Sequence, residues 1–225
     1  MDVEIAGTKE SGAVDMGTQE ALPGALPRGA SDQVPPASRI ARRIAFAQRS
    51  LCSIYRLEIG LAAERFVIPQ QAALDLLPPG SPRTGLAILE EENDLFLGLY
   101  FDARDGTNGG TIVEETSHWL CVAWHARQGR RVSRLMLELQ GEIDRWIVAH
   151  LVGRDPFHHF RRYRWADWID ACTLVRYQTA HELAHRYCLG LARRFPDRAD
   201  IPHLLAELRR FYRSSSEAKL RRHWF

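Results

Sequence analysis

The stretch Thr111-Ile-Val-Glu-Glu-Thr-Ser-His-Trp-Leu-Cys-Val-Ala-Trp-His-Ala-Arg127 decides how the chain is read. Trp119, Leu120, Val122, Ala123, Trp124 and Ala126 cover almost the whole circumference of a helix drawn at about 100° per residue. A helix apolar on all sides belongs in the centre of a fold, so 111–127 is expected to be a central buried helix. Its polar residues then need partners. Glu114, His118, Cys121 and His125 fall within about 60° of one another on the wheel, and a buried carboxylate beside an imidazole must be paired, hydrogen-bonded or bound to metal. An ion pair from Glu114 to His118, answered by an Arg of a neighbouring helix, is one expectation; ligation through Glu114 and His118 is the other.

Working outward, helices are expected at 133–152, 165–195 and 200–213, each ending near Gly, Pro or a basic cluster. Upstream, Ser38 can cap a helix carrying Ile40, Ile44, Leu51, Ile54 and Tyr55, with Arg39, Arg42, Arg43 and Arg49 as a solvated face. The Pro- and Gly-rich segment 66–85 allows only a short helix between Gln70 and Leu77. Leu86 and Ile88, then Leu95, Leu97, Leu99 and Phe101, alternate around Glu92-Asn93-Asp94 and predict a β-hairpin near 86–101 with one buried face. The fold class is therefore mainly α (α+β): about five helices in a bundle with one hairpin.

Residues 1–37 hold Gly, Pro, Ala, Thr and acids with few large apolar groups, a composition expected to be disordered. Residues 38–225 are expected to form one domain. The formal charge is +2, but residues 1–35 carry six acids against two bases, leaving the remainder basic. Neither a leader peptide nor a run of about 18 uncharged apolar residues is present, which points to a cytoplasmic, non-membrane protein. Four cysteines, at 52, 121, 172 and 188, form no C-x-x-C pair and are expected to be reduced and mostly buried. No phosphate-binding Gly-rich loop, G-x-S-x-G elbow or dinucleotide fingerprint occurs. Cys121 beside His118 and His125 reads as a core residue rather than a nucleophile.

The sharpest motif is His181-Glu182-Leu183-Ala184-His185. Imidazoles at i and i+4 can reach one Zn²⁺ while the carboxylate between them takes a proton from bound water. The motif resembles that of the gluzincin metallohydrolases. That resemblance implies zinc ligands His181, His185 and a Glu on a later helix, here Glu207, with Glu182 as general base. Geometry opposes it: Trp165, Ile169, Cys172, Leu183, Ala184, Tyr187, Cys188 and Leu191 form one apolar arc, and Glu182 lies nearly opposite its centre.

A second metal reading joins the helices. Glu115-Thr-Ser-His118 and Glu182-Leu-Ala-His185 both spell Glu-x-x-His, and Glu58 or Glu64 and Glu138 or Glu142 are available elsewhere. This resembles the ligand set of ferritin-like di-iron carboxylate proteins, and implies iron. Glu138 and Glu142 also have Arg134 and Arg145 at the spacing of surface ion pairs.

Basic and aromatic residues alternate over 157–165, 209–213 and 219–225. Such mixtures can meet nucleic acid, although aromatics turned inward with arginines at the rim is the plainer arrangement. On sequence alone the expected function is that of an intracellular, non-catalytic helical module binding another macromolecule, with a protein as partner. The alternatives are the zinc hydrolase and, after it, the di-iron protein.

Overall fold

In a computed structural model the described residues are 36–91, 94–103, 108–161 and 169–221. They form α1 (Pro36–Tyr55), α2 (Gln70–Leu76), the hairpin strands β1 (Gly85–Glu91) and β2 (Asp94–Tyr100), α3 (Gly109–Ala126), α4 (Arg134–Leu151), α5 (His158–Arg161), α6 (Ala171–Arg194), α7 (Ile201–Arg213) and α8 (Ser216–Arg221). Single 3₁₀ turns lie at Ala63–Phe66 and Arg198–Asp200. The mainly α architecture with one hairpin is the one the periodicity predicts. Among the described residues no helix is long and apolar enough to cross a membrane. Of the tail expected at 1–37, residues 1–35 lie outside the described residues, while Pro36 and Ala37 belong to α1.

α3 occupies the middle. Its side chains are buried without interruption from Glu115 to Ala123, and it packs against α1, α4 and the hairpin. α4 lies between α3 and α6, while α7 closes against α1. Leu51, Tyr55, Trp119, Leu139, Trp146, Leu191 and Phe211 all belong to one apolar cluster, so these helices share a core. Helix starts follow the usual caps: Asn108, Ser133 and Asp170 each accept a backbone N–H through the side chain.

The hairpin is antiparallel, with Gly85 opposite Tyr100 and Glu91 opposite Asp94. Ile88, Leu95 and Leu97 pack on Cys121, Val122 and Leu137. The expectation of a single buried face is too simple, because Ala87 and Tyr100 on the other face pack against Ala73 of α2.

Several boundaries differ from expectation. α1 begins at Pro36, two residues before the expected Ser38 cap, because proline's fixed φ suits a first helical turn. The helix expected at 165–195 spans 171–194; residues 165–168 lie outside the described residues. α5 and α8 were not expected, being shorter than a periodic pattern can reveal. Cys172 is exposed, whereas Cys121 and Cys188 are buried.

Among the described residues of the basic-aromatic segments, rings turn inward. Phe160, Phe211 and Tyr212 are buried. Arg209 Nε donates to the Ile54 carbonyl at 2.7 Å and Arg213 to the Tyr55 carbonyl at 2.8 Å. These arginines thus satisfy the C-terminal carbonyls of α1, where a positive charge is also favoured by the helix dipole. Residues 162–168 and 222–225 lie outside the described residues.

Candidate metal centre

Two carboxylates one turn apart on α4, Glu138 and Glu142, face the central helix and α6. From α3 come Glu114, Glu115 and His118; from α5, His159; from α6, His181. One ligand-type atom each of Glu114, His118 and Glu138 lies within 4.8 Å of the other two. His118 Nδ1 is 3.4 Å from Glu115 Oε2, and His118 Nε2 is 3.8 Å from Glu138 Oε2. Glu142 stands between two imidazoles, with His159 Nε2 at 3.0 Å and His181 Nδ1 at 3.2 Å. Arg145, from the next turn of α4, donates to Glu114 at 3.0 Å.

A glycine makes the approach possible. A Cβ on Gly141 would lie 2.8 Å from His118 Nε2 and 3.3 Å from Glu114 Cγ. Any side chain there would push the imidazole away from Glu138.

Burial and charge work against each other in this group. Burial pushes the Glu114 carboxyl up to about 7, with Arg145 opposing and Glu142 and Glu115 adding to the rise. Burial also raises Glu138, against the charge of His118. For His118, burial would lower the pKa, but contact with Glu115 and the charge of Glu138 outweigh it and carry it up to about 10. Burial would raise Glu142, yet bonding to His159 and His181 holds it down at about 2.

The hydrogen bonding is incomplete. Glu115 Oε2, His118 Nε2, Glu142 Oε2 and His159 Nε2 are all buried and their contacts are ion-pair contacts rather than well-formed hydrogen bonds, Glu142 Oε2 and His159 Nε2 facing each other at 3.0 Å. An unmade bond at a buried polar atom costs about 1–3 kcal/mol, so His118 Nε2, 3.8 Å from Glu138 and without a hydrogen bond, is costly as it stands. All four atoms are of types that bind metal ions. Bonds of about 2.1 Å would set ligand atoms on opposite sides of an ion about 4.2 Å apart, close to the spread observed here.

The expected pairing of Glu114 is corrected in one respect: it forms its ion pair with Arg145, while His118 contacts Glu115 and Glu138. Glu138 and Glu142 are not surface ion-pair residues; both side chains are turned inward, toward histidines, because α3 and α6 cover that face of α4.

The His181–His185 motif is divided. His181 turns toward Glu142. His185 stacks on Phe160, ring centroids 4.9 Å apart, and burial lowers its pKa, helped by His181 and His159. Glu182 is exposed and sits 3.4 Å from Arg186. Glu207 is buried against Arg210 and lies 3.8 Å from Arg194. Among the described residues the ligand-type groups that converge are Glu114, His118 and Glu138, not His181, His185 and Glu207. Of the di-iron candidates, His118 contacts Glu115 and Glu138, and Glu142 contacts His159 and His181. By contrast, Glu182 points to solvent beside Arg186 and His185 lies on Phe160, while Glu58 is exposed after α1 and Glu64 lies in a 3₁₀ turn.

Cys121 Sγ lies 3.6 Å from His125 Nδ1, but burial pushes its thiol up to about 12, as suits a core residue. Sequence reasoning missed His159, which was read only as part of a basic-aromatic run. Its signal was weak, since α5 is a single turn. No protein-family model matches the chain, and no curated protein or solved structure matches it significantly.

Proposed function

We propose that this protein works through a divalent first-row metal ion bound inside its helical bundle, with Glu114, His118 and Glu138 as ligands and Glu115 alongside. Glu142, one turn along α4 from Glu138, holds His159 and His181 beside this position. The observation that supports this reading is the convergence of Glu114, His118 and Glu138, one ligand-type atom of each lying within 4.8 Å of the other two inside the bundle. Ligation would satisfy them and neutralise carboxylates that burial disfavours.

The donor set bears on the ion. Carboxylates outnumber imidazoles and no thiolate is present, which suits iron or manganese better than zinc. Glutamates and histidines from facing helices are the donors of di-iron and di-manganese bundles. This set departs from theirs on α6, where His181 comes without an inward glutamate. The zinc-hydrolase and interaction-module readings make no use of the buried cluster.

Metal analysis of untagged full-length protein, purified without chelator, tests the proposal. It should contain about one iron or manganese ion per chain, lost in His118→Ala and retained in Glu182→Gln. Metal-free wild type, or metal retained in His118→Ala, would overturn the reading.

A further inference from the structure

A cleft of about 1160 Å³ opens between α1, the start of α3, the end of α4 and α5. Small-molecule sites are concave, mostly apolar and of order 300–1,000 Å³, so this cleft holds such a ligand with room to spare. Phe46 and Val152 both line it and are 58% and 57% exposed. Val113 and Val148 continue the apolar wall.

The rim is strongly basic. Arg39, Arg42 and Arg154 border the cleft. Among its lining residues the carboxylate present, Asp155, is ion-paired with Arg161. The first turn of the 18-residue α3 also opens here; its Gly109 leaves the backbone open, with nothing within 4 Å of where a Cβ would stand. A helix N-terminus carries partial positive charge and free N–H groups. At its inner end the cleft meets Arg145 and His159, the residues that touch Glu114 and Glu142.

We infer that this cleft binds a small amphipathic anion, an apolar chain or ring ending in a carboxylate or phosphate. The head lies among Arg39, Arg42 and Arg154, and the body lies against Phe46, Val113 and Val148. Apolar surface alone would take a neutral molecule, and arginines alone would take free phosphate; the two together select a ligand with both parts. The inference deepens the metal reading by naming the substrate class, but the binding itself requires no metal.

Calorimetric titration of the full-length protein tests it, with dodecanoate and dodecyl phosphate below their micelle concentrations, dodecanol below its solubility limit, and inorganic phosphate. Both metal-loaded and chelator-treated samples are titrated, so that loss of metal and loss of the anion site are read separately. Dodecanoate or dodecyl phosphate should bind saturably at one site, at least about tenfold more tightly than dodecanol or inorganic phosphate. Tighter carboxylate binding identifies a fatty-acid-like ligand, and tighter phosphate binding a phosphomonoester. Arg42→Gln combined with Arg154→Gln should weaken the anion by about tenfold and leave dodecanol unchanged. Equal binding of dodecanol, equal binding of inorganic phosphate, wild-type affinity in the double variant, or no saturable binding would each overturn the inference.

Discussion

Asp144 and Glu142 stand two residues apart on α4 and face different neighbours. Around Asp144 the Tyr55 hydroxyl, Ser117 Oγ (2.6 Å) and Gln140 Nε2 (2.9 Å) all donate into one carboxylate, tying α1, α3 and α4 together. Burial raises Asp144 to about 6 while these three donors hold it back. Around Glu142 and Glu138, α3 and α4 join with α5 and α6 to gather acids against histidines. Both groups are buried and charged. What separates the two is the kind of group that meets the carboxylates: neutral donors converge on Asp144, whereas imidazoles, which can also be metal ligands, stand against Glu138 and Glu142.

The largest expected effect comes from opening the closed network. Asp144→Ala strands three buried donors and should destabilise the fold by about 3–5 kcal/mol in urea unfolding. If the loss is under about 1 kcal/mol, the network is not the scaffold argued here.

Gly141→Ala strikes where α3 and α4 touch. Its methyl would meet His118 at 2.8 Å, so metal content should fall sharply. The stability cost should stay within about 2 kcal/mol, because overpacking is partly offset by alanine's helix preference.

Acid should distinguish the two carboxylates. Glu142 is held at about 2, below its ordinary 4.5, so its contribution is present above pH 4.5 and lost as pH falls through about 2. Asp144, raised to about 6 from 3.8, acts oppositely: its protonation favours the folded state as pH falls through that window. The stability difference between wild type and Glu142→Gln in chelator-treated protein should therefore shrink on acidification from about pH 5 to 3. A constant difference would remove the ion-pair account of Glu142.

Glu138→Gln should change metal-free stability by less than about 1 kcal/mol, since relief of a buried charge offsets the lost contact with His118, yet metal-loaded protein should lose its added stability. The smallest effect belongs to Glu182→Gln. An exposed ion pair with Arg186 is worth about 0.5 kcal/mol at most, and metal should be retained. Metal loss on this substitution would return the site to the His181–His185 motif.

Much of the fold was legible because hydrophobic period is a local property. The apolar circumference of 111–127 marked the central helix, and alternation over 86–101 marked the hairpin. The outward aim of Glu182 also followed from helical spacing alone. The most conspicuous motif, His181–His185, did not reveal the convergence of Glu114, His118 and Glu138, because spacing on one helix shows which residues share a face and not what stands opposite.

Sequence by itself determined that Glu114 and His118 are buried together on α3 and that their charge needs an answer, since a helix apolar on all sides must lie inside. Only the tertiary structure decided what answers it. Arg145 takes Glu114, Glu138 comes to His118 across Gly141, and His159 and His181 meet at Glu142. Those partners lie far apart in the chain, and their meeting depends on how closely the helices cross, a distance that no local pattern encodes.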